Sequence, residues 1–237
     1  MVDQIKKNAS KMMEDHSAFE DSPFAKIVPN ILSKGIDNVN LSMFEEDKRK
    51  QILNTVGDFC LEKGKLAEAL KAFYKAGNGA KLSKVGDQLR DLGRYDQALE
   101  TYNLAKDFGK IERLGDYCYK QGDMSNAAKA YVFVNNVQKI VLVGEECVKR
   151  GRYDLAIDIF YDSGDMPRLI ALGEKCLNEN QLVLAAKAFE IAMDKGKLNE
   201  LGDILLKKGE YDAALKSYQR ANNHQMVDFI RENFQIV

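Results

Sequence analysis

The chain has 237 residues, of which 35 are Lys or Arg and 36 are Asp or Glu, so its formal net charge at pH 7 is −1. This balance gives no general attraction to nucleic acid or to anionic membranes, both of which favour a basic protein surface. No apolar run approaches the roughly 20 residues that span a bilayer. The N-terminal residues also lack the apolar core of a secretory signal, so we expect neither a membrane segment nor a signal peptide.

Residues 1–41 carry no repeat, and we predict that they form an N-terminal helical cap. Apolar residues at helical spacing predict an amphipathic helix over about 3–15. A second helical segment is expected to begin near Pro23, with Pro29 as a kink, and to end at Gly35. The favoured role of this region is to cover the first hydrophobic face of the repeats that follow, and a subunit contact is the alternative.

The pattern Ser42-x-x-Glu45 predicts a capping box and the start of a helix that ends near Lys63. From here the range 42–237 is an array in which one pattern returns every 29 residues without insertion or deletion. The repeat glycines are Gly57, Gly86, Gly115, Gly144, Gly173 and Gly202. The units are 57–85, 86–114, 115–143, 144–172, 173–201 and 202–230, and 226–237 forms an end cap.

Within each unit, helical periodicity lies on both sides of a turn, so each unit is predicted to be a helical hairpin. Twelve residues after the repeat glycine, every unit has an alanine, and sixteen residues after it, every unit has Phe or Tyr. A glycine inside a helix costs about 1 kcal/mol relative to alanine, so this column of glycines needs a reason. We expect each glycine to face an alanine of the neighbouring helix, with the aromatic ring filling the space beside them.

At these columns the sequence resembles the tetratricopeptide repeat. The matching residues of one unit, in order, are Ile111, Leu114, Gly115, Cys118, Gly122, Ala127 and Tyr131. The unit is shorter than the family's repeat of about 34 residues, and it lacks the family's helix-ending proline. Short units of this kind are also similar to the helical repeats of clathrin-type coat and intraflagellar-transport subunits.

The resemblance implies an all-α fold, a right-handed α-solenoid of six stacked helical hairpins with an N-terminal helical cap and a C-terminal capping helix. It also implies that the first helix of each hairpin lines a concave face, which usually binds partners. The residue after each repeat glycine should point there, and it is always acidic: Asp58, Asp87, Asp116, Glu145, Glu174 and Asp203.

Three interpretations of this acidic column remain open. It could attract a basic segment of a partner by complementary charge. It could form ion pairs four residues apart on its own helix, as Asp116 and Lys120 would. It could also pair laterally with a basic column on neighbouring helices, formed by Lys81, Lys110, Lys139, Arg168 and Lys197.

Three residues beyond each acid lies a second set of groove positions, where several apolar residues have no periodic reason to be buried. They are Leu61, Arg90, Tyr119, Val148, Leu177 and Leu206. We include Arg90 and Tyr119 with the acidic column as candidate partner-binding residues. The resemblance implies that a clamp for a partner's C-terminal carboxylate would place Asn where this chain has the acids, so such a clamp is not expected.

The chain offers little for catalysis. His16 and His224 are its only histidines, and no nucleophile–base set or metal motif accompanies them. We therefore predict no enzyme, no cofactor and no metal. The four cysteines share one column with Leu89 and Leu205, so we expect them to be buried apolar residues. Unpaired, reduced thiols indicate a cytoplasmic protein.

The predicted function is a protein–protein interaction scaffold or adaptor that binds a peptide or partner helix of basic character along its acidic, partly apolar concave face. Nucleic acid and membrane are not expected as partners. One alternative is a structural subunit that assembles through the ends of the array, including as a homo-oligomer. An alternative of another class is a small-ligand sensor or enzyme.

Overall fold

The computed structural model describes residues 22–234, so the helix predicted over 3–15 lies outside the described residues. Between 22 and 234 the chain forms fourteen α-helices and one short 3-10 turn, Ala25–Ile27, and no strand. The helices are α1 (Val28–Lys34), α2 (Glu46–Glu62), α3 (Leu66–Ala76), α4 (Gly79–Asp91), α5 (Tyr95–Leu104), α6 (Phe108–Gln121), α7 (Met124–Phe133), α8 (Val137–Lys149), α9 (Tyr153–Asp162), α10 (Met166–Asn178), α11 (Leu182–Ile191), α12 (Lys195–Lys207), α13 (Tyr211–Arg220) and α14 (His224–Phe234).

The chain divides into two compact units, one up to Leu114 and one from Gly115 onward. The first unit contains α1 to α5 and the second contains α7 to α14, while the boundary falls within α6. In each unit, helices that follow one another in the chain pack against each other. The predicted all-α architecture of repeated helical hairpins is confirmed. No helix in the described part is long and apolar enough to cross a membrane.

From α2 onward, first helices of hairpins alternate with second helices. Each first helix ends before a residue with positive φ, which is Gly64, Gly93, Gly122, Gly151, Asn180 or Gly209. Each second helix likewise ends before one residue with φ between 53° and 71°, which is Gly77, Lys106, Asn135, Gly164, Met193 or Asn222. One left-handed residue ends a helix without a proline and keeps the connection short.

The sequence suggested that each repeat glycine faces an alanine of the neighbouring helix. In most hairpins it does not. A methyl group added at Gly86 would lie 2.5 Å from the Tyr102 ring, and one at Gly173 would lie 2.5 Å from the Phe189 ring. Only at Gly115 is an alanine, Ala130, the nearest atom, at 2.7 Å. The aromatic side chain of the same hairpin therefore occupies the space that a Cβ would need, and this explains the glycine column.

Two expectations at the N-terminal side are wrong. Helix α2 begins at Glu46, and Glu45 precedes it without a side-chain capping bond. The Ser42 N–H instead donates to Asn40 Oδ1 at 2.9 Å, so the capping box from Ser42 does not form. Pro29 lies in the first turn of α1 and does not kink a helix, because a first turn needs no N–H at that position.

The segment before α2 lies on the first hairpin. The hydroxyls of Ser22 and Thr55 are 2.8 Å apart. Asp37 pairs with Lys71 at 3.0 Å and with Lys75 at 2.8 Å, and both lysines belong to α3. These contacts attach the segment to both helices of the hairpin.

The C-terminal helix packs on the last hairpin. Val227 and Ile230 of α14 are buried, and the Phe234 ring stacks on Tyr211 of α13 with a centroid distance of 4.0 Å. Phe229 remains 44% exposed. Part of the apolar end of the chain therefore folds back onto the array, while Ile236 and Val237 lie outside the described residues.

The four cysteines are free thiols that lie fully inside the protein. Burial raises the pKa of the thiols of Cys60, Cys118 and Cys176 to about 11. Leu89 and Leu205, at the same position in other hairpins, are 5% and 4% exposed. The prediction of small buried apolar residues is confirmed.

Candidate protein-interaction face

The acidic column consists of the residues that directly follow the repeat glycines, which are buried against aromatic rings. Its side chains are partly exposed in the first unit, with 21% for Asp58 and 32% for Asp87. In the second unit the exposure is larger, with 44% for Asp116, 48% for Glu145 and 47% for Glu174. The second unit therefore presents its carboxylates more openly.

Five of the six acids form a lateral ion pair with the residue 23 positions later. The pairs are Asp58–Lys81 at 2.5 Å, Asp87–Lys110 at 2.7 Å, Asp116–Lys139 at 2.7 Å, Glu145–Arg168 at 3.3 Å and Glu174–Lys197 at 2.8 Å. Each pair joins a first helix to the first helix of the next hairpin. The lateral pairing that the sequence left open is present in both units.

A column of Asn and Asp residues positions these cations, and the sequence analysis missed it. The side chain of Asp165 accepts a hydrogen bond from the Arg168 N–H at 3.1 Å, which caps the start of α10. Because Arg168 is also the lateral partner of Glu145, the cap fixes the backbone from which the cation extends. The equivalent cap residues are Asn78, Asp107, Asn136, Asp194 and Asn223. This column can be recognised in the sequence, because Asn or Asp lies 21 residues after every repeat glycine.

In three hairpins a tyrosine hydroxyl donates to the acid of the column, and in two of them that acid also has its lateral cation. The Tyr102 hydroxyl donates to Asp87 Oδ1 at 2.9 Å, and the Lys110 ammonium lies 5.5 Å from the centroid of the same ring. Tyr131 repeats the arrangement with Asp116 at 2.7 Å. Burial and the hydrogen bond to Asp87 raise the pKa of Tyr102, so its phenol stays protonated and donates. The carboxylate, hydroxyl and ring together form a site for one cation.

In the first unit this cation site extends to a buried serine. The Lys110 ammonium donates to Ser83 Oγ at 2.7 Å, and Ser83 Oγ donates to Asp107 Oδ2 at 2.7 Å. Burial alone would raise the pKa of the Asp107 carboxyl, but hydrogen bonds from Ser83 and the Lys110 backbone outweigh it and lower the pKa. A serine beside a lysine can act as a nucleophile when the lysine is a base. Here the Lys110 ammonium donates to Ser83 and also pairs with Asp87 at 2.7 Å.

The residues three positions beyond the acids are only partly covered. Leu61, Tyr119, Val148, Leu177 and Leu206 are half-buried and Arg90 is exposed, with its guanidinium 2.8 Å from Asp91 and 3.6 Å from Asp87.

In the second unit an open groove of about 340 Å³ lies between α8 and α10. Its floor is apolar and includes Val148, Phe160 and Leu172, and Glu145 and Arg168 lie at its rim. The structure thus brings one residue of the acidic column together with an apolar groove residue.

Among residues 22–234, no three His, Cys, Asp or Glu side chains are grouped so that they could hold a metal ion. His224 is the first residue of α14, and His16 lies outside the described residues.

Residues 198–223 match the model of a tetratricopeptide repeat family. The matched stretch covers most of α12 and all of α13, which form one hairpin. No curated protein matches the chain. Together with the repeated helical hairpins, the match fits a tetratricopeptide-like helical repeat. Repeats of this family generally mediate binding to protein partners and are typically non-enzymatic.

Proposed function

We propose that this tetratricopeptide-like helical repeat is a scaffold that holds a peptide or a partner's helix of basic character against its first helices. The proposed contact residues are the acidic column together with Arg90 and Tyr119. The observation that carries the proposal is the open apolar groove beside Glu145 in the second unit.

The groove supplies the apolar part of the interaction. Its volume of about 340 Å³ lies within the range of small binding sites, about 300–1,000 Å³. The half-buried Val148 offers apolar surface that an inserted leucine or aromatic side chain would cover, and the buried Phe160 and Leu172 also line the groove. Buried anchors of this kind provide most of the binding free energy in helix and peptide recognition.

The acidic column supplies charge complementarity, and its lateral ion pairs do not prevent this. Exposed ion pairs contribute only about 0–1 kcal/mol, so a carboxylate can accept a partner's cation at small loss. Asp116, Glu145 and Glu174 are each nearly half exposed. A basic segment is therefore favoured over an acidic one.

Peptide selection tests this proposal directly. A displayed peptide library is selected on the complete chain, and the enriched peptides are titrated against variants by calorimetry. We expect peptides with Lys or Arg next to an apolar residue. Val148→Asp should weaken them by about tenfold or more, because it places a charge in the apolar groove. Glu145→Gln should weaken them by about fivefold.

Asp154→Asn is the matched control, because it removes an exposed carboxylate from the second helix α9 and not from the proposed face. It should leave affinity unchanged. Peptides that are acidic, or that bind the Val148→Asp variant as tightly as the wild type, would overturn the proposal. Neutral substitutions such as Glu145→Gln are preferable to substitutions that reverse the charge. A lysine in place of Asp116, for example, would lie beside Lys139 and repel it.

Assembly through the ends of the array is the competing proposal. The Phe234 ring already stacks on Tyr211, which removes one apolar group from the end, while Phe229 is 44% exposed. Light scattering over a concentration range separates the two. A monomer at all concentrations excludes self-assembly, whereas a dimer that Phe229→Ser dissociates would favour it.

We also propose a reducing, cytoplasmic location. Four cysteines that are all buried and unpaired support it, because oxidising compartments favour disulfides. When the protein is purified from its native source without reductant and then unfolded, four titratable thiols are expected. Two or fewer would contradict the proposal.

A further inference from the structure

The last acid of the column differs from the other five. At 23 residues after Asp203 the chain has Met226, where the other hairpins have Lys or Arg. Within residues 22–234, no lysine or arginine forms an ion pair with Asp203, whose carboxylate accepts the Tyr218 hydroxyl at 2.6 Å. Asp203 is exposed.

The backbone at Met226 is nevertheless equivalent to that of the basic residues. The Met226 N–H donates to Asn223 Oδ1 at 3.2 Å, as the Lys139 N–H does to Asn136 at 3.2 Å. Asn223 also donates to Asn199 Oδ1 at 2.8 Å, and Asn78 donates to Asn54 at the same distance. The cap and the helix start are therefore retained, and the cation alone is replaced.

Two other hairpins contain the complete arrangement, in which a carboxylate contacts both a tyrosine hydroxyl and a lysine ammonium. At Asp87 the Lys110 ammonium lies 2.7 Å from the carboxylate, whose other oxygen accepts the Tyr102 hydroxyl. At Asp116 the Lys139 ammonium lies 2.7 Å from the carboxylate that accepts the Tyr131 hydroxyl. Asp203 with Tyr218 has the same carboxylate and hydroxyl.

We propose that Asp203, held by Tyr218, is the docking point for a Lys or Arg side chain of the protein partner. This inference rests on the proposed function and names the residue that receives the partner's cation. At the other five acids an incoming cation meets a resident Lys or Arg. At Asp203 it meets a carboxylate whose resident partner is a neutral hydroxyl, so a charge-assisted bond forms without displacing a cation.

The neighbouring surface defines the rest of the ligand. Leu206 lies three residues after Asp203 on α12, so the two side chains share one face of that helix. Leu206 is half-buried and offers apolar surface beside the carboxylate. The site therefore fits a segment in which a Lys or Arg lies next to an apolar residue.

The test uses Met226→Lys, which supplies the missing cation from within the chain. Gln225→Lys is the matched control, because it adds the same charge at the neighbouring exposed position. Asp203→Asn removes the charge with little change in shape. Circular dichroism verifies that the three variants retain helicity.

The probe is an acetylated, amidated hexapeptide of alternating leucine and lysine, and its counterpart has glutamine in place of lysine. Binding is followed by two-dimensional ¹⁵N–¹H NMR of the complete chain. We expect the lysine peptide to shift the amide signals of Asp203 and Leu206. Its affinity at these signals should fall about fivefold in Asp203→Asn and in Met226→Lys, and stay unchanged in Gln225→Lys.

Wild-type affinity in Met226→Lys, or equal binding of the glutamine peptide, would overturn the inference. Free butylamine that produced the same shifts at the same concentration would identify a small-amine site and overturn the role of a protein segment. Shifts confined to the groove at Val148 would refute the Asp203 site but leave the proposed function in place. A peptide that shifted neither region would remove support from both.

Discussion

Gly173 and Glu174 are neighbours in the chain, yet they belong to two layers of the hairpins that differ in how much their residues vary from one hairpin to the next. The glycine layer is uniform, with the same residue in every hairpin and a ring against it. The charged layer varies, with Asp or Glu on one side and Lys, Arg or Met226 on the other. Steric overlap in a close-packed interior costs several times more than an exposed ion pair contributes. The charged layer is therefore free to differ from hairpin to hairpin, and such differences can carry recognition.

The largest effect is expected from a methyl group in the glycine layer. In Gly173→Ala the new Cβ would lie 2.5 Å from the Phe189 ring, which is fully buried. Helix propensity favours alanine by about 1 kcal/mol, and overpacking costs about 1–3 kcal/mol. We expect a net loss of up to about 2 kcal/mol in the free energy of unfolding, measured with urea by circular dichroism.

Gly109→Ala is the control for this substitution. Gly109 is also helical, and its added Cβ would meet only Asp107 Oδ1 at 3.9 Å. Without overlap, the substitution should be neutral or stabilising by up to about 1 kcal/mol. Phe189→Leu combined with Gly173→Ala should cost less than the sum of the two single changes. Additive changes, or a stable Gly173→Ala, would contradict contact with the ring.

An intermediate effect is expected at the caps that position the basic column. Asp165→Ala removes the acceptor of the Arg168 N–H and the 2.6 Å contact to its guanidinium. Loss of an N-cap side chain costs about 0.5–2 kcal/mol. Asp165→Asn should stay close to the wild type in urea unfolding, because Asn occupies this position in three hairpins. If both variants unfolded alike, the capping bond would not be the cause.

The smallest effect is expected in the charged layer and should depend on pH. Burial alone would raise the pKa of the Asp116 carboxyl, but hydrogen bonds from Lys139 and Tyr131 outweigh it and lower the pKa below its ordinary value of 3.8. Such a group contributes stability above pH 3.8, and the contribution disappears as pH falls through the lowered pKa. Because the side chain is 44% exposed, the contribution is at most about 1 kcal/mol.

Urea unfolding of the wild type and Asp116→Asn at several pH values measures this contribution. The difference in free energy of unfolding should be constant between pH 5 and 7, begin to shrink near pH 4, where the carboxylate is protonated in the unfolded chain, and continue to shrink as pH falls through the lowered pKa of the folded protein. It should also shrink in about 1 M salt, where exposed charges are screened. A difference that grew toward low pH would reverse the sign and refute the assignment.

The repeat period made much of the fold predictable. A column that is glycine, alanine or aromatic in every unit reports the interior, because a repeated environment selects the same residue each time. The burial of Cys118 and Cys147 followed from the leucines that share their column. Local patterns without repetition were less reliable, since Ser42 and Glu45 match a capping box but Asn40 forms the competing turn.

The candidate site was predictable only in part. The acidic column and the basic column were both visible, and lateral pairing was one of three open interpretations. The column of Asn and Asp cap residues, which ends at Asn223, was equally regular. It could have indicated the helix starts from which the basic side chains extend. The sequence also shows Met226 at the place where the other hairpins have Lys or Arg, 23 residues after the acid, but only the structure showed that residues at this spacing form ion pairs.

By itself, the sequence determined the class of fold, because a strict 29-residue step leaves one repeated helical pattern to satisfy. Only the tertiary structure decided what each column touches. It placed a ring rather than an alanine over Gly173, and a lysine of the next hairpin rather than one of the same helix beside Asp116. Both outcomes depend on distances between helices, and periodicity along one chain does not contain those distances.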